Sequence, residues 1–262
     1  MVAALLVFAL PSLILDGSLW GQCDSIYVSF LLATMYYLMR NAPVRSCVCY
    51  GLAMCFKFQA IFLAPVLVVA LLRRRLSWWQ ALLVPIIWIV ATIPAVLMGR
   101  SFYSLISLFV IQSRLFPNVA MNVANPYQYF RVLHISNAVG VWLAGVVTML
   151  AFGALVYIGL IRKRLNRKWF FFFATCSLAV MPYVMPKMHD RYFLPAQVFL
   201  VILACCKPRF VIPAVLLEFA LVLSYLNFFH NWVILEGMKI ALLASTAALF
   251  FLLKHLWQTR NG

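Results

Sequence analysis

The chain has 262 residues, of which 66% are hydrophobic and only 10% are charged, and its formal net charge is +16. Soluble domains carry about 25% charged residues, so this composition excludes a soluble globular protein and predicts an integral membrane protein. The basic residues lie in short clusters between apolar runs. Membrane topology explains that pattern, and it therefore does not indicate nucleic-acid binding.

The apolar runs predict the fold class. They are long and contain Gly and Pro, which favours helices over a β-barrel, whose segments would be short and alternating. We predict an all-α, polytopic transmembrane bundle of about 8 to 10 helical segments. It forms a single membrane domain over residues 1–262. Residues 1–15 lack the basic start and the cleavage site of a signal peptide. They are typical of the later part of a spanning helix, so we expect the chain to begin inside a larger architecture.

Clusters of Lys and Arg assign one face of this bundle to the cytoplasm. The strongest cluster covers residues 162–168, and the others lie at 40–45, 73–75, 207–209 and 254–260. The spans predicted between them are 26–39, 77–98, 136–161, 169–185, 193–206, 210–228 and 239–253. This alternation places three loops, 16–24, 99–135 and 188–192, together on the extracytoplasmic face.

Residues 47–72 do not fit the alternation, because they are too few for two spans of about 20 residues each. We predict a short re-entrant hairpin or two thin helices, with residues 56–59 at the outer turn. Lys57 and Gln59 are about 200° apart on an ideal helix, so they can face one cavity only if the helix breaks there. Non-helical backbone at membrane depth is tolerated where it lines a cavity.

Two compact polar clusters, residues 20–24 and 186–192, adjoin the apolar runs, and each contains one of only five acidic residues. Ionisable groups at the membrane edge are unfavourable, so they indicate a functional site. Simpler interpretations exist for single residues. Trp20 and Tyr192 could be interfacial anchors, Asp24 could be the N-cap of the next helix, and His189 could bond loop backbone.

Cations on the predicted outer face are contrary to the positive-inside rule, so their presence needs another explanation. They are Arg100, Arg114, Arg131, Lys187, Arg191 and Lys239, with Lys57 added if the hairpin forms. Arg and Lys donate charge-assisted hydrogen bonds to phosphate, so we expect an anionic lipid headgroup to bind there. The sequence contains no nucleotide-binding loop and no zinc-protease pattern, and ATP hydrolysis is not predicted.

Three ordered motifs resemble those of a polytopic glycosyltransferase family, the bacterial relatives of the second GPI-anchor mannosyltransferase in the GT-C superfamily. They are Trp-Gly-Gln-Cys-Asp at 20–24, Phe-Lys-Phe-Gln-Ala-Ile at 56–61 followed by Pro65, and Met-His-Asp-Arg-Tyr-Phe at 188–193. Asn125, in Asn-Pro-Tyr, matches a further family segment more loosely. The third motif commonly has Glu where Asp190 stands. The resemblance extends to about Cys206.

The resemblance implies a mannosyltransferase-like enzyme of the bacterial plasma membrane. It would transfer a sugar, with inversion, from a polyprenyl-phosphate-linked donor to a glycan or lipid acceptor outside the cytoplasm, with membrane lipid around it. Family members typically carry a catalytic aspartate in the first external loop, upstream of the first motif. We therefore expect the principal base to precede Met1, and little activity from this chain alone. No cofactor is implied other than a divalent metal, for which no ligand residue is assigned.

Chemistry and resemblance together assign the site residues. An inverting transferase needs a carboxylate to take the acceptor proton and cations to stabilise the departing phosphate. The candidate catalytic residues are Asp24, His189 and Asp190, where Asp24 could instead bind acceptor or metal and Asp190 could orient Arg191 or His189. The candidate substrate-binding residues are Trp20, Gln22, Lys57, Gln59, Asn125, Arg191 and Tyr192. Lys57 and Arg191 are predicted to bind the phosphate, with His189 as a second donor.

Two other functions stay open from the sequence. One is a non-catalytic lipid-phosphate-binding or transport protein, since broken helices also line transport sites. The absence of a repeat between the two halves speaks against transport. The other is a partner subunit that completes the active site of a split transferase.

Overall fold

The computed structural model describes residues 1–116, 118–130, 133–230 and 235–260. They form a bundle of helices with a single pair of very short strands, which confirms the predicted all-α fold. The helices are α1 Val2–Phe8, α2 Pro11–Ile14, α3 Asp24–Met39, α4 Pro43–Phe56, α5 Ala64–Leu72, α6 Trp78–Ala81, α7 Leu83–Leu97, α8 Phe102–Ile106, α9 Leu108–Leu115, α10 Asn137–Ile161, α11 Arg167–Val184, α12 Leu194–Cys206, α13 Val211–His230 and α14 Leu235–Gln258.

Within the described residues, four helical segments are long and apolar enough to cross a membrane, which supports a membrane-embedded protein. They are Trp78–Leu97, Asn137–Ile161, Pro208–Phe229 and Gly237–Gln258. A bent pair, Val2–Phe8 and Pro11–Leu19, would add a fifth if its two parts form one span. Each of the four coincides with a span predicted from hydropathy.

The apolar start of the chain differs from the single helix predicted for residues 1–15. It is broken between α1 and α2, and the two parts are bent by 51°. Pro11 explains the break, because proline has no N–H and drives the residue before it out of the helical region. Leu10 accordingly has an extended backbone, with φ −62° and ψ 124°. The helix then continues into a π-helical turn, Leu15–Leu19, that ends at the first polar cluster.

Helix α11 lies at the centre of the bundle. Trp169, Phe170 and every residue from Phe172 to Pro182 are buried. A helix that is apolar on all sides is stable only where protein or lipid surrounds it completely. The hydroxyl of Ser177, inside this helix, donates to the carbonyl of Phe62 at 2.6 Å. By contrast, α7 has no buried residue, as is typical of a helix that faces lipid.

The predicted break at Lys57 is present. Helix α4 ends at Phe56, and Lys57 has an extended backbone with φ −149° and ψ 131°. A 3-10 turn, Phe58–Leu63, then leads into α5. Helices α4 and α5 have only 14 and 9 residues. The two thin helices predicted for this segment are therefore observed.

A two-stranded parallel pair joins the long segment after α9 to the loop after α11. Strand β1, Ala120–Met121, pairs with β2, Met188–His189, so that Ala120 is opposite Met188 and Met121 is opposite His189. The amide of Asp190 also donates to the carbonyl of Met121 at 3.1 Å. Two of the loops that topology assigned to one face are thus in contact.

Three of the five basic clusters gather at one end of the bundle. Arg73 donates to the carbonyl of Leu160, at the end of α10, at 3.0 Å. Arg162 donates to the carbonyl of Thr259, beyond α14. Contacts therefore join residues 73–75, 162–168 and 255–260, three segments that the positive-inside rule places on one side of the membrane.

Candidate functional site

Asp24 is the centre of a buried ionic cluster. Its side chain is completely buried, Lys57 Nζ lies 2.5 Å from its Oδ1, and Arg191 Nε lies 3.4 Å from its Oδ2. The two cationic side chains are 15% and 16% exposed, so they remain open to a small ligand. One residue from each of the three sequence motifs thus meets at a single carboxylate.

The position of Asp24 in its helix explains why the carboxylate points into the cluster. The N-cap of α3 is Cys23, without a side-chain capping bond, and Asp24 is the first helical residue. The interpretation of Asp24 as an N-cap is therefore wrong. A carboxylate in the first turn still gains from the positive end of the helix dipole. Its hydrogen-bonding capacity is directed at the cations and not at its own helix.

Arg191 is held by both acidic partners and by an aromatic ring. Its Nη1 lies 3.6 Å from Asp190 Oδ1, and its backbone N–H donates to the same oxygen at 2.9 Å. The guanidinium carbon lies 4.7 Å from the centre of the Trp20 ring, within cation–π range. Asp190 and Trp20 together orient the guanidinium plane.

The side of the Trp20 ring opposite Arg191 packs against the end of α13. Its ring stacks on Phe228 at 4.0 Å and meets Tyr225 edge-on at 5.9 Å. Gly21, with φ +67°, supplies the left-handed turn that a side chain would strain. Because both faces of the Trp20 ring are packed against protein, Trp20 forms part of the wall of the site and is not a free interfacial anchor.

Three further candidate residues line the same region. The side chain of Gln59 lies close enough to that of Tyr192 to interact with it. The break at Lys57 allows Lys57 and Gln59 to face the same cluster. The ring of His189 lies 5.3 Å from that of Tyr192 and 4.8 Å from that of Phe116, edge-on in the second case.

No described ion pair or side-chain hydrogen bond joins Gln22 or Asn125 to Asp24, Lys57 or Arg191. The backbone N–H of Gln22 donates to the carbonyl of Asp16 at 3.0 Å, and its side chain is half-buried. Asn125 is completely buried, and its amide nitrogen and oxygen have no hydrogen-bond partner within the part of the chain that the structure describes. No such bond joins Asn125 to Asp24. Its complete burial closes the amide off from solvent in this structure.

Asp16 and Tyr225 are site residues that the sequence analysis missed. Asp16 is completely buried, accepts a hydrogen bond from the Tyr225 hydroxyl at 3.2 Å and interacts electrostatically with Asp24. A buried carboxyl group next to a second carboxylate favours its protonated form. The rarity of acidic residues, which singled out Asp24 and Asp190, applied equally to Asp16. No local pattern pointed to Tyr225.

The loop of the third motif contains two groups with shifted acidity. Burial raises the pKa of Asp190 to about 7, although the Arg191 guanidinium and backbone N–H oppose the shift. Burial also lowers the pKa of His189 to about 4, and the charges of Arg191 and Lys57 add to that effect. Near neutral pH, His189 is therefore uncharged and Asp190 is close to the midpoint of its titration.

An apolar cavity of about 580 Å³ opens on the surface of α10 beside this loop. It is lined by Trp142, Gly145, Val146, Thr148, Met149, Leu150 and Pro186. Pro186 is only five residues before Arg191 in the chain, so the cavity and the ionic cluster share one loop. Among the residues that the structure describes, no group of three or more His, Cys, Asp or Glu could hold a metal ion.

The other predicted outer cations do not join the Asp24 cluster through any described ion pair. Arg100 and Lys239 are exposed, and Lys187 is half-buried next to β2. Arg131 and the side chain of Arg114 lie outside the described residues.

Fold and site together define a multi-pass helical membrane protein with a buried cluster of carboxylates and cations. The chain matches no family model, no curated protein and no solved structure in the comparisons. Membership of a particular family therefore stays a prediction.

Proposed function

We propose that this protein is an inverting, mannosyltransferase-like enzyme of the GT-C class. It takes a sugar from a polyprenyl-phosphate donor and transfers it to a glycan or lipid acceptor on the extracytoplasmic side of a bacterial plasma membrane. The observation that carries this proposal is the convergence of Asp16, Asp24, Lys57 and Arg191, the last of which shares a loop with Pro186 in the wall of an apolar cavity. Such a site offers a base, two phosphate-binding cations and a surface for a lipid chain.

The paired carboxyls supply the base in this mechanism. Asp16, buried beside a second carboxylate, holds a proton, and Asp24 is paired with its two cations. An acceptor hydroxyl gives its proton to Asp24 as its oxygen attacks the anomeric carbon. The bond from that carbon to the phosphate oxygen breaks, and its electron pair leaves with the polyprenyl phosphate. In this proposal Asp16 and Asp24 take the role that the resemblance assigned to an aspartate before Met1. We therefore expect transfer by this chain, and this replaces the expectation of little activity from this chain alone.

The cations stabilise the departing phosphate. While Asp24 is ionised, Lys57 and Arg191 are paired with it. Once Asp24 takes the acceptor proton, that attraction falls, and both cations can turn their free donors toward the new charge on the phosphate. Stabilisation of charge that develops only in the transition state is what accelerates a reaction. His189, uncharged near neutral pH, can donate one further hydrogen bond.

The apolar cavity suits the lipid part of the donor. Its walls are almost entirely hydrocarbon, and it faces outward from α10, a helix whose apolar surface is largely exposed. An isoprenoid chain in this cavity would bring its phosphate toward the loop that contains Arg191. Soluble nucleotide sugars would gain nothing from such a surface.

Lipid-phosphate binding or transport without chemistry is a second candidate function. The broken helix at Lys57 favours it, because interrupted helices line transport sites. A carboxylate that only balances the charge of two cations would have the same geometry, in the absence of substrate, as a carboxylate that acts as a base. The two functions differ in whether the carbon–oxygen bond of the donor is broken.

The deciding experiment uses purified protein in lipid nanodiscs with a radiolabelled polyprenyl-phosphate mannose and a mixture of hydroxyl acceptors. We expect release of free polyprenyl phosphate, and we expect Asp24→Asn to retain donor binding while transfer falls at least about a hundred-fold. Glu218→Gln, which changes a half-buried carboxylate that bonds Ser12 instead, is the matched control and should retain transfer. Donor binding without release of polyprenyl phosphate would favour the non-catalytic function.

A further inference from the structure

A second cavity lies at the basic end of the bundle, away from the Asp24 cluster. It has a volume of about 530 Å³, within the range of ligand pockets, and it is lined by Arg73, Arg75, Lys163, Arg164, Leu165 and Asn166. The first two residues follow α5 and the other four connect α10 to α11. The cavity therefore sits where three helix ends meet, at the level expected for lipid headgroups.

The two arginines at its base are fixed by backbone carbonyls. Arg73 donates to Leu160 at 3.0 Å and to Lys163 at 3.2 Å, and Arg75 donates to Leu165 at 2.6 Å. These bonds satisfy carbonyls at and beyond the end of α10. Each guanidinium has five N–H donors, so both retain donors for a ligand after making them. Their planes are already ordered, which lowers the entropy lost when an anion binds.

The positive charge of the cavity has no acidic counterpart in the described structure. All three described ion pairs involve Asp24 or Asp190, in the other cluster. Glu218 bonds Ser12. Four cations that converge on one concave surface repel one another, and an anion between them removes that repulsion. A phosphate group, which accepts several charge-assisted hydrogen bonds, matches this donor set.

Exposed apolar surface next to the cavity favours a lipid over a soluble anion. Leu72, immediately before Arg73, is 56% exposed, and Tyr157 on α10 is 60% exposed. An acyl chain can lie along this surface while its headgroup phosphate sits among the cations. Basic pockets between helices on the cytoplasmic side commonly bind anionic headgroups.

We propose that this cavity is a binding site for the phosphate of an anionic phospholipid, such as phosphatidylglycerol. The site is separate from the Asp24 cluster and independent of the function proposed for that cluster. Its ligand is a lipid that stays bound, and no bond is made or broken there.

The test measures lipid binding by native mass spectrometry on detergent-purified protein, titrated with phosphatidylglycerol or phosphatidylcholine. Lys163→Gln combined with Arg164→Gln removes two exposed cations that no described helix needs for its cap. We expect phosphatidylglycerol to bind about ten- to a hundred-fold more weakly to this variant, in line with the loss of charge-assisted hydrogen bonds. Lys207→Gln combined with Arg209→Gln makes the same change in charge at the same end. It should alter binding by less than about two-fold, since exposed charges outside the cavity are screened.

Three results would overturn the proposal. Equal losses in both double variants would show general attraction to basic surface, and equal affinity of the wild type for both lipids would show that no anion site exists. Displacement of phosphatidylglycerol by millimolar inorganic phosphate would assign the cavity to a soluble anion. Thermal unfolding without added lipid checks that each variant is folded, and Lys163→Gln alone serves if the double variant is not.

Discussion

Lys57 Nζ lies 2.5 Å from Oδ1 of Asp24, although the two residues are 33 positions apart in the chain. Lys57 lies at the break after α4, where its backbone is extended with φ −149° and ψ 131°. The same ion pair draws the first and second motifs together, and Arg191 adds the third.

The ion pair itself should be measurable as a coupling energy. Removal of either partner leaves the other poorly compensated in a buried place, which destabilises the protein more than removal of both. We expect a double-mutant cycle of Asp24→Asn and Lys57→Met to give a coupling of about 1–3 kcal/mol. Thermal or denaturant unfolding in nanodiscs provides the four stabilities. Additive effects would mean that the two side chains do not interact in the folded protein.

Arg191→Lys should weaken donor binding even though it preserves the charge. Lysine cannot reproduce the planar fork that reaches Asp24, Asp190 and a phosphate. We expect a loss of about 1.5–3 kcal/mol, or roughly ten- to a hundred-fold in affinity for a polyprenyl-phosphate donor. Arg260→Lys is a close control, because Arg260 also stacks on a tryptophan, Trp257, but at the basic end. Similar affinities for the two variants would remove Arg191 from the phosphate site.

Filling the apolar cavity on α10 should impair use of the lipid donor. Nothing lies within 4 Å of a Cβ added at Gly145 or at Gly153, so a larger side chain fits at either position. Only Gly145 lines the cavity. We expect Gly145→Phe to raise KM for a long-chain polyprenyl-phosphate sugar at least about ten-fold, because the ring occupies the volume of several methylene groups. Gly153→Phe should leave KM unchanged. If the two variants behave alike, the lipid chain lies elsewhere.

The third motif predicts two opposite dependences of stability on pH. The pKa of Asp190 is raised to about 7 in the folded protein, so its contribution to stability falls as pH rises from about 4 to about 7. The pKa of His189 is lowered to about 4, so its contribution rises with pH from about 4 to about 6.5. The two slopes oppose each other in the native protein. Relative to the native protein, Asp190→Asn should therefore tilt the curve of melting temperature against pH upward, and His189→Gln should tilt it downward.

Measurement of melting temperature from pH 4 to pH 8 separates these contributions. Two variants with the same slope as the native protein would contradict the burial of both groups. The direction of each slope matters here, since a loss of packing would lower the whole curve without tilting it.

Helix α10 should tolerate a side chain at some glycines and not at others. A Cβ at Gly159 would lie 2.5 Å from a methyl group of Val69, a fully buried β-branched residue with little freedom to move. We expect Gly159→Ala to destabilise the protein by about 1–3 kcal/mol through overpacking between α10 and α5. Gly145→Ala is the control on the same helix and should be nearly silent. Unfolding free energies of the two variants would be compared directly.

Much of the architecture follows from local properties of the sequence. Hydropathy alone predicts the spans that became α7, α10, α13 and α14, because a segment that is apolar over about 20 residues must be covered by lipid or protein wherever it lies. The break at Lys57 was also predictable, since the length of residues 47–72 left no other way to cross and return. The three motifs named most of the residues that meet at Asp24.

Other features depended on the tertiary structure. Asp16 joins the cluster only because Tyr225, 209 residues away, bonds to it and because the π-helical turn brings it back to Asp24. Hydropathy cannot show that α11 is the central helix while α7 is peripheral, since both are apolar. The pairing of β1 with β2 likewise has no signal in two residues of sequence. Local composition sets which segments enter the membrane, but side-chain packing between distant helices decides which polar groups meet there.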